Sequence, residues 1–423
     1  MFIVFLLSFF TLFTEPELQT VNLSFDTTIN SNQYEAISIG YSIKSEKELI
    51  TQSILSTLKS GDQIKFSRVS PLKHCSSSNI KKLEPYNLLF YILFSEDHGI
   101  FEWKLYEVNS GTFIIGKQYD ATNVNDKLLR TISADIWLEL FSEQSPFNYL
   151  LAYIKKDIIA KKDTFHVVIT SPFTKKFTKN IVSSNSPIVD LAVLETTPIQ
   201  SIALSQATTK NIRILKLTSD GSLVRLIDLP GTSTSICSYE KGVLYIRSGK
   251  LCQCYYDEKE KAFVHAPCKK NDLGIYASVA ITQDQSMICV KDFSVYVIDY
   301  EINKNGSITC KHERKISSSK AMVASATYSP NSNTIITSEK IKDHYQLVSY
   351  NLLKPQRTII TKSTIHKQDP CISPCGNYVA YVSFNDMGDG KTIEIMNMYT
   401  KKIISITETE GHYVCPIWIT RPT

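Results

Sequence analysis

A strand-length apolar run, led in by a polar turn, returns again and again along this chain, and few folds are open to a chain that repeats it. The pattern is clearest near the end. There Ser373-Pro374-Cys375-Gly376 precedes the run Tyr378–Phe384, a loop follows at 386–390, and strands are expected at 392–398 and 402–406. Period-two alternation with Gly, Asn and Asp between the runs reads as an antiparallel meander. Upstream, the second-strand run recurs at 333–337, 286–290 and 242–246, and more faintly at 200–204 and 148–153. With Ala152, Ala203, Tyr245, Cys289, Ile336 and Ala380 taken as equivalent, the spacing matches the ~40–50 residues of a β-propeller blade. An all-β six-bladed β-propeller is therefore expected over residues 147–423.

The tail bears on how the ring closes. Gly411–Ile419 (GHYVCPIWI) has the pattern of an innermost strand, but almost no chain follows it. The first blade, beginning near Phe147, has no innermost strand ahead of it. The C-terminal strand is expected to complete that blade and so remove the open edge.

Residues 15–142 have a different rhythm, that of an α+β domain with two helices on a mixed sheet. Strands are expected at 21–25, 36–41, 64–69, 86–94, 99–108 and 112–118, with Asn109-Ser110-Gly111 as a hairpin turn. Ser45-Glu46-Lys47-Glu48 reads as a capping box, which also accounts for the carboxylates of Glu46 and Glu48. Leu49, Ile50, Ile54, Leu55 and Leu58 then form one helical stripe that stops at Gly61. A basic, Ser-rich loop is expected at 73–82. The second helix starts near Asn125, with Leu129, Ile132, Ile136 and Leu140 at helical spacing, and 142–146 make a polar joint to the propeller.

The first residues are different again. Phe2–Phe13 is a continuous apolar run, too short to span a bilayer but suited to a secretory h-region, so residues 1–14 are expected to be a signal peptide, with an uncleaved anchor or a buried first strand as the alternatives. Export would place the ten cysteines where disulfides are permitted. The net charge of +5 arises from 46 basic and 41 acidic residues dispersed along the chain, which gives no basic face for nucleic acid.

Cys252-x-Cys254 with His265-x-x-Cys268 is the constellation that most resembles a metal site. Free thiols, a cross-strand disulfide such as Cys252–Cys268, and zinc are the three readings open to it, zinc being the one a flat hairpin serves worst. There is no G-x-S-x-G elbow, no H-E-x-x-H and no Walker loop, and the eight histidines are scattered. No catalytic set and no cofactor are expected. A competing reading, a propeller hydrolase or metal-dependent lyase, would need His, Cys and Asp side chains converging in the channel. The segments leading into the innermost strands should instead gather at one mouth as a partner-binding surface. Asn185, Thr232, Asp272, Lys320, Gln368, His412 and Tyr413 mark it.

Several stretches are similar to the TolB family of periplasmic proteins. Phe101-Glu102-Trp103-Lys104-Leu105-Tyr106-Glu107-Val108, with Ser110-Gly111-Thr112, Gly116-Lys117 and Tyr119, resembles that family's hairpin. Arg130, Ser133, Asp135, Trp137 and Leu140, then Leu151-Ala152-Tyr153, resemble its passage into the propeller. Ile372-Ser373-Pro374-x-Gly376-x-x-Val379-Ala380-Tyr381-Val382-Ser383-Phe384 resembles its repeated SPDG blade motif, and Pro416-x-Trp418 its closing strand. Cys375 and Asn331 stand where that motif has Asp, and Tyr41-Ser42-Ile43-Lys44 replaces a Gly/Pro-rich loop. The resemblance implies a non-enzymatic periplasmic scaffold of the Tol–Pal system, a monomer in a multiprotein complex peripheral to the envelope membranes. It would bind the peptidoglycan-associated lipoprotein Pal at the propeller mouth and TolA through the N-terminal region. That role supports outer-membrane integrity and constriction at division.

Overall fold

The computed structural model describes residues 36–420, apart from 45–47, 73, 160, 174–176, 195–200, 219–221, 258, 270–273, 283, 285, 319–320, 330–332, 354–355, 387–389 and 409–410. The signal-peptide run, the 21–25 strand, most of the 45–48 capping box, and both Asp272 and Lys320 lie outside the described residues.

The chain opens with a five-stranded mixed sheet built from β1 (Ile37–Lys44), β2 (Ile64–Arg68), β3 (Phe90–Asp97), β4 (Ile100–Glu107) and β5 (Phe113–Asp120), in the order β2-β1-β3-β4-β5. β1 pairs in parallel with β2 and β3, and the remaining pairs are antiparallel. Helices α1 (Glu48–Ser60) and α3 (Asp126–Phe141) belong to the same core as the sheet. The side chain of Asn125 caps α3 by accepting from the N–H of Leu128 at 2.9 Å.

Three local expectations are corrected. Leu49 is exposed, and Thr51 joins Ile50, Ile54, Leu55 and Leu58 on the buried face of α1. The basic segment holds a short helix, α2 (Ser77–Lys81), which buries Ile80. Tyr86 lies in a 3-10 turn with its ring exposed, and the strand begins only at Phe90. Pro85, the second residue of the 3-10 helix Glu84–Tyr86, accounts for the turn, since its fixed φ suits the first turn of a helix, where its missing N–H is not needed.

Six four-stranded sheets follow. In chain order, blades 2 to 6 begin with the innermost strands Ile188–Leu194, Ser233–Tyr239, Tyr276–Ile281, Val323–Ser329 and His366–Ile372. Blade 1 takes its innermost strand from the end of the chain. His412–Thr420 pairs antiparallel with Tyr149–Ile159, so the C-terminal strand closes the ring. Consecutive innermost strands touch all the way round.

In each antiparallel blade the start of the innermost strand and the hairpin between strands two and three lie at the same end. This end is the mouth. The α+β domain packs at the other end, on blades 6 and 1. Trp137 of α3 packs against Phe141 with rings tilted and edge-on against Phe147, Phe147 meets Phe173, and Phe173 contacts Tyr378 of blade 6 and Trp418 of the closing strand. These side chains share one buried cluster with Ile54, Leu55 and Leu58. The polar joint is fastened too, since Asn377 donates to Glu143 at 2.6 Å.

Candidate functional site: the channel and its mouth

Each innermost strand carries one extra residue relative to its neighbour, a β-bulge that turns the strand where it lines the channel. Beside these bulges stand Asp190, Ser235, Ser278, Ser325, Asp369 and Cys415. Their side chains link one blade to the next. Asp190 accepts from Ile236 N at 2.7 Å, Ser235 from Val279 N at 3.4 Å, and Ser278 from Ala326 N at 3.5 Å. Ser325 accepts from the N–H of Asp369 at 3.2 Å; the next residue, Pro370, has no N–H to offer. Cys415 donates to Val189 O at 3.2 Å, completing the seam between blades 1 and 2. These residues recur at the blade period and could have been read from the sequence, but aligning the second strands hid them.

The seam is acidic. Desolvation pushes Asp190 up to about 7, and the charge of Asp369 adds to the shift while the Ile236 and Leu191 N–H groups oppose it. Desolvation also raises Asp369, with Lys391 and Ser325 acting the other way. Cys415 is pushed up by burial and then by both carboxylates. A thiol held protonated in this way is the reverse of an activated nucleophile. Asp and Cys do converge here, but as hydrogen-bonded blade links. No group of three or more His, Cys, Asp or Glu with metal-binding geometry occurs among the described residues.

The cysteine–histidine hairpin does not converge either. Cys252 and Cys254 face the core shared with blade 2, beside Ala203 and Tyr245, while Cys268 lies in the core shared with blade 4, beside Met287 and Cys310. The sheet of blade 3 separates them, and all three are free thiols, so the Cys252–Cys268 bridge is corrected. His265 pairs with Cys254 but is exposed, and desolvation pushes Cys254 up to about 11.

Of the mouth residues, Asn185, Thr232 and His412 are exposed at the starts of innermost strands. Gln368 lies within its strand, paired with Val382 at the bulge, and not in the segment leading in. Tyr413 is buried, its ring edge-on to Tyr153 at 5.8 Å, so it packs blade 1 and does not face a partner. A polar cluster whose members are scattered in the sequence stands on the rim between blades 5 and 6. There His366 Nε2 lies 2.6 Å and His344 Nε2 3.6 Å from the carboxylate of Asp386. Tyr345 N–H donates to His366 Nδ1, which leaves the proton of the neutral ring on Nε2, facing Asp386.

The sequence matches no protein-family model and no curated protein. Among solved structures, the chain is similar to TolB from Acinetobacter baumannii with a TM-score of 0.70 and 18% identity, over 91% of this chain and 96% of that one. The chain has the TolB fold. A putative TolB from Agrobacterium tumefaciens aligns over 64% of this chain and 98% of its own, at 12% identity and a TM-score of 0.42. Hydrazine synthase from Kuenenia stuttgartiensis aligns at 12% identity and a TM-score of 0.50, over 67% of this chain and 48% of that one. The TolB fold accounts for both halves of the molecule, the α+β region and the propeller it precedes.

Proposed function

We propose that this chain is a non-enzymatic periplasmic scaffold of the Tol–Pal type, binding a Pal-like lipoprotein domain at the propeller mouth and TolA through its N-terminal region. One observation carries the reading. The six innermost strands open on a single mouth, and the described residues of the α+β domain pack at the opposite end of the ring. Convergent segments on a rigid scaffold are where such folds place recognition. The likeness of fold to TolB across nearly the whole chain supports the same reading, as does the apolar run Phe2–Phe13 for export. No helix among the described residues is long and apolar enough to cross a membrane.

Within this proposal Asn185, Thr232, Asp272, Lys320 and His412 contribute to the mouth. The test is capture of a purified Pal-like domain by the purified protein. Lys320→Glu combined with His412→Ala should weaken capture, whereas full binding by that double variant would remove the mouth assignment. A TolA domain should bind the intact chain and lose its hold when residues 15–25 are deleted.

A further inference from the structure

The rim of the mouth is not uniform. The residue just before the innermost strand is Pro187 in blade 2 and Thr232 in blade 3, but Ile275 in blade 4, Met322 in blade 5 and Ile365 in blade 6; blade 4 alone of these sets an exposed Phe at its hairpin tip. Ile275 is 71% exposed and Met322 44%. Between them, at the tip of the blade 4 hairpin, stands Phe293, 62% exposed. Backbone bonds hold the three together. Asp292 N–H donates to Ile275 O at 3.0 Å, Ile275 N–H returns to the Asp292 carboxylate at 3.0 Å, and Val323 N–H donates to Phe293 O at 2.9 Å. These bonds bring three exposed apolar residues to neighbouring places on the rim, where single exposed residues elsewhere would need no explanation.

Phe293 is also in an unfavourable conformation. Asp292 and Phe293 have φ of 47° and 57°, the pair of positive values found in hairpin turns that favour Asn-Gly or Asp-Gly. A bulky side chain there is unusual, and strain of this kind persists where another demand sustains it. Folding gains nothing evident from an exposed ring at this position. The surroundings are basic: Lys250 and Lys342 are exposed on the hairpin tips of blades 3 and 5, and exposed Lys340 donates its N–H to Met322 O at 2.8 Å. Of the nearby acids, Asp292 is engaged with Ile275 N–H, and Asp343 shares the blade 5 tip with Lys342.

We propose that Ile275, Phe293 and Met322 anchor a docking site on the rim of blades 4 and 5, off the channel axis, for a protein domain that sets an apolar side chain within an acidic surface. This inference rests on the mouth-binding reading above and specifies where and by what chemistry the partner is held. A buried aromatic anchor would supply the affinity, and the lysines would supply the approach rate and the salt dependence.

The test compares binding of the purified Pal-like domain by titration calorimetry with thermal unfolding. Phe293→Gly suits the turn better, so the melting temperature should stay or rise while binding weakens at least tenfold. Lys250→Glu with Lys342→Glu should weaken binding and flatten its dependence on salt. Ile158→Ser, on the exposed blade 1 hairpin across the ring, should leave affinity within about twofold. Should Phe293→Gly bind as tightly as the unaltered protein while Lys320→Glu/His412→Ala does not, the off-axis anchor is overturned and the mouth reading survives. No binding by the unaltered protein defeats that reading and this inference with it. Vesicles of phosphatidylglycerol provide the last arm. If Phe293→Gly loses vesicle binding but keeps the Pal-like domain, the patch faces lipid and the protein-docking proposal fails.

Discussion

The hydroxyl of Tyr378 donates to the carbonyl of Gly61 at 2.7 Å, so that blade 6 holds the end of α1. Asn397 Nδ2 donates to the same oxygen at 3.2 Å. Gly61 permits this approach because a Cβ there would come within 2.5 Å of the Trp137 ring. Tyr378→Phe leaves the carbonyl one partner and should cost about 1 kcal/mol in urea unfolding. Adding Asn397→Ala strips the carbonyl of both, and the double variant should lose more than the sum of the singles. Strict additivity would show that the domain junction does not depend on this oxygen.

A second prediction concerns the buried lysine of blade 6. Lys367 Nζ lies 2.8 Å from Glu394 and 2.9 Å from Ser383 Oγ, and 5.2 Å from the centre of the Tyr381 ring. Removing the carboxylate alone, as Glu394→Ala, strands a charge away from water and should destabilise by about 3–5 kcal/mol. Lys367→Met with Glu394→Leu removes both charges and should restore most of that loss. Equilibrium unfolding of the three proteins decides the matter; equal losses in the single and double variants would contradict it.

The hairpin turn of the first domain gives a third. Gly111 has φ of 69°, and a Cβ there would sit 2.5 Å from the carbonyl oxygen of Ser77 at the start of α2. Gly111→Ala combines backbone strain with that clash and should cost more than about 1 kcal/mol. Loss of protection in both α2 and the hairpin, read by amide hydrogen exchange, would locate the damage there.

How much of this was legible follows from what each signal depends on. Period-two alternation and the blade spacing depend on burial alone, so the propeller, its six blades and its closing strand could be read directly. The face of α1 was misjudged at Leu49 because one apolar residue beside a stripe does not reveal which side meets the sheet. The helix at 77–81 was hidden by its Ser-rich composition, which favours turns in isolation. The cysteine hairpin failed for a register reason: residues of one parity face blade 2 and the others blade 4, so proximity in sequence placed thiols on opposite sides of a sheet. Cys375 shows what the departure from Asp does. Its thiol is buried, 3.2 Å from Ser373 Oγ, and feels the charge of Glu143, so a carboxylate there would meet a like charge at the domain joint. The bulge ring and the rim patch depend on contacts between blades, which no single repeat encodes.

The channel seam gives the last prediction. Asp190 titrates at about 7 in the folded protein, against about 3.9 for an ordinary aspartate. Its folded value is raised, so its contribution to stability is complete below the unfolded value and is lost as pH climbs through about 7. Deprotonation places a second negative charge beside Asp369, partly offset by the hydrogen bond from the Cys415 thiol, and Lys391 lowers Asp369. Asp190→Asn keeps an oxygen able to accept from Ile236 N–H and has no proton to lose. Relative to the unaltered protein, its unfolding free energy should therefore rise between about pH 4 and pH 7 and level off above, while Asp369→Asn should lower the pH at which Asp190 ionises. Urea titrations across that range measure both effects. A difference that stays flat with pH would mean that the Asp190 carboxylate is already ionised throughout and that its burial does not raise it.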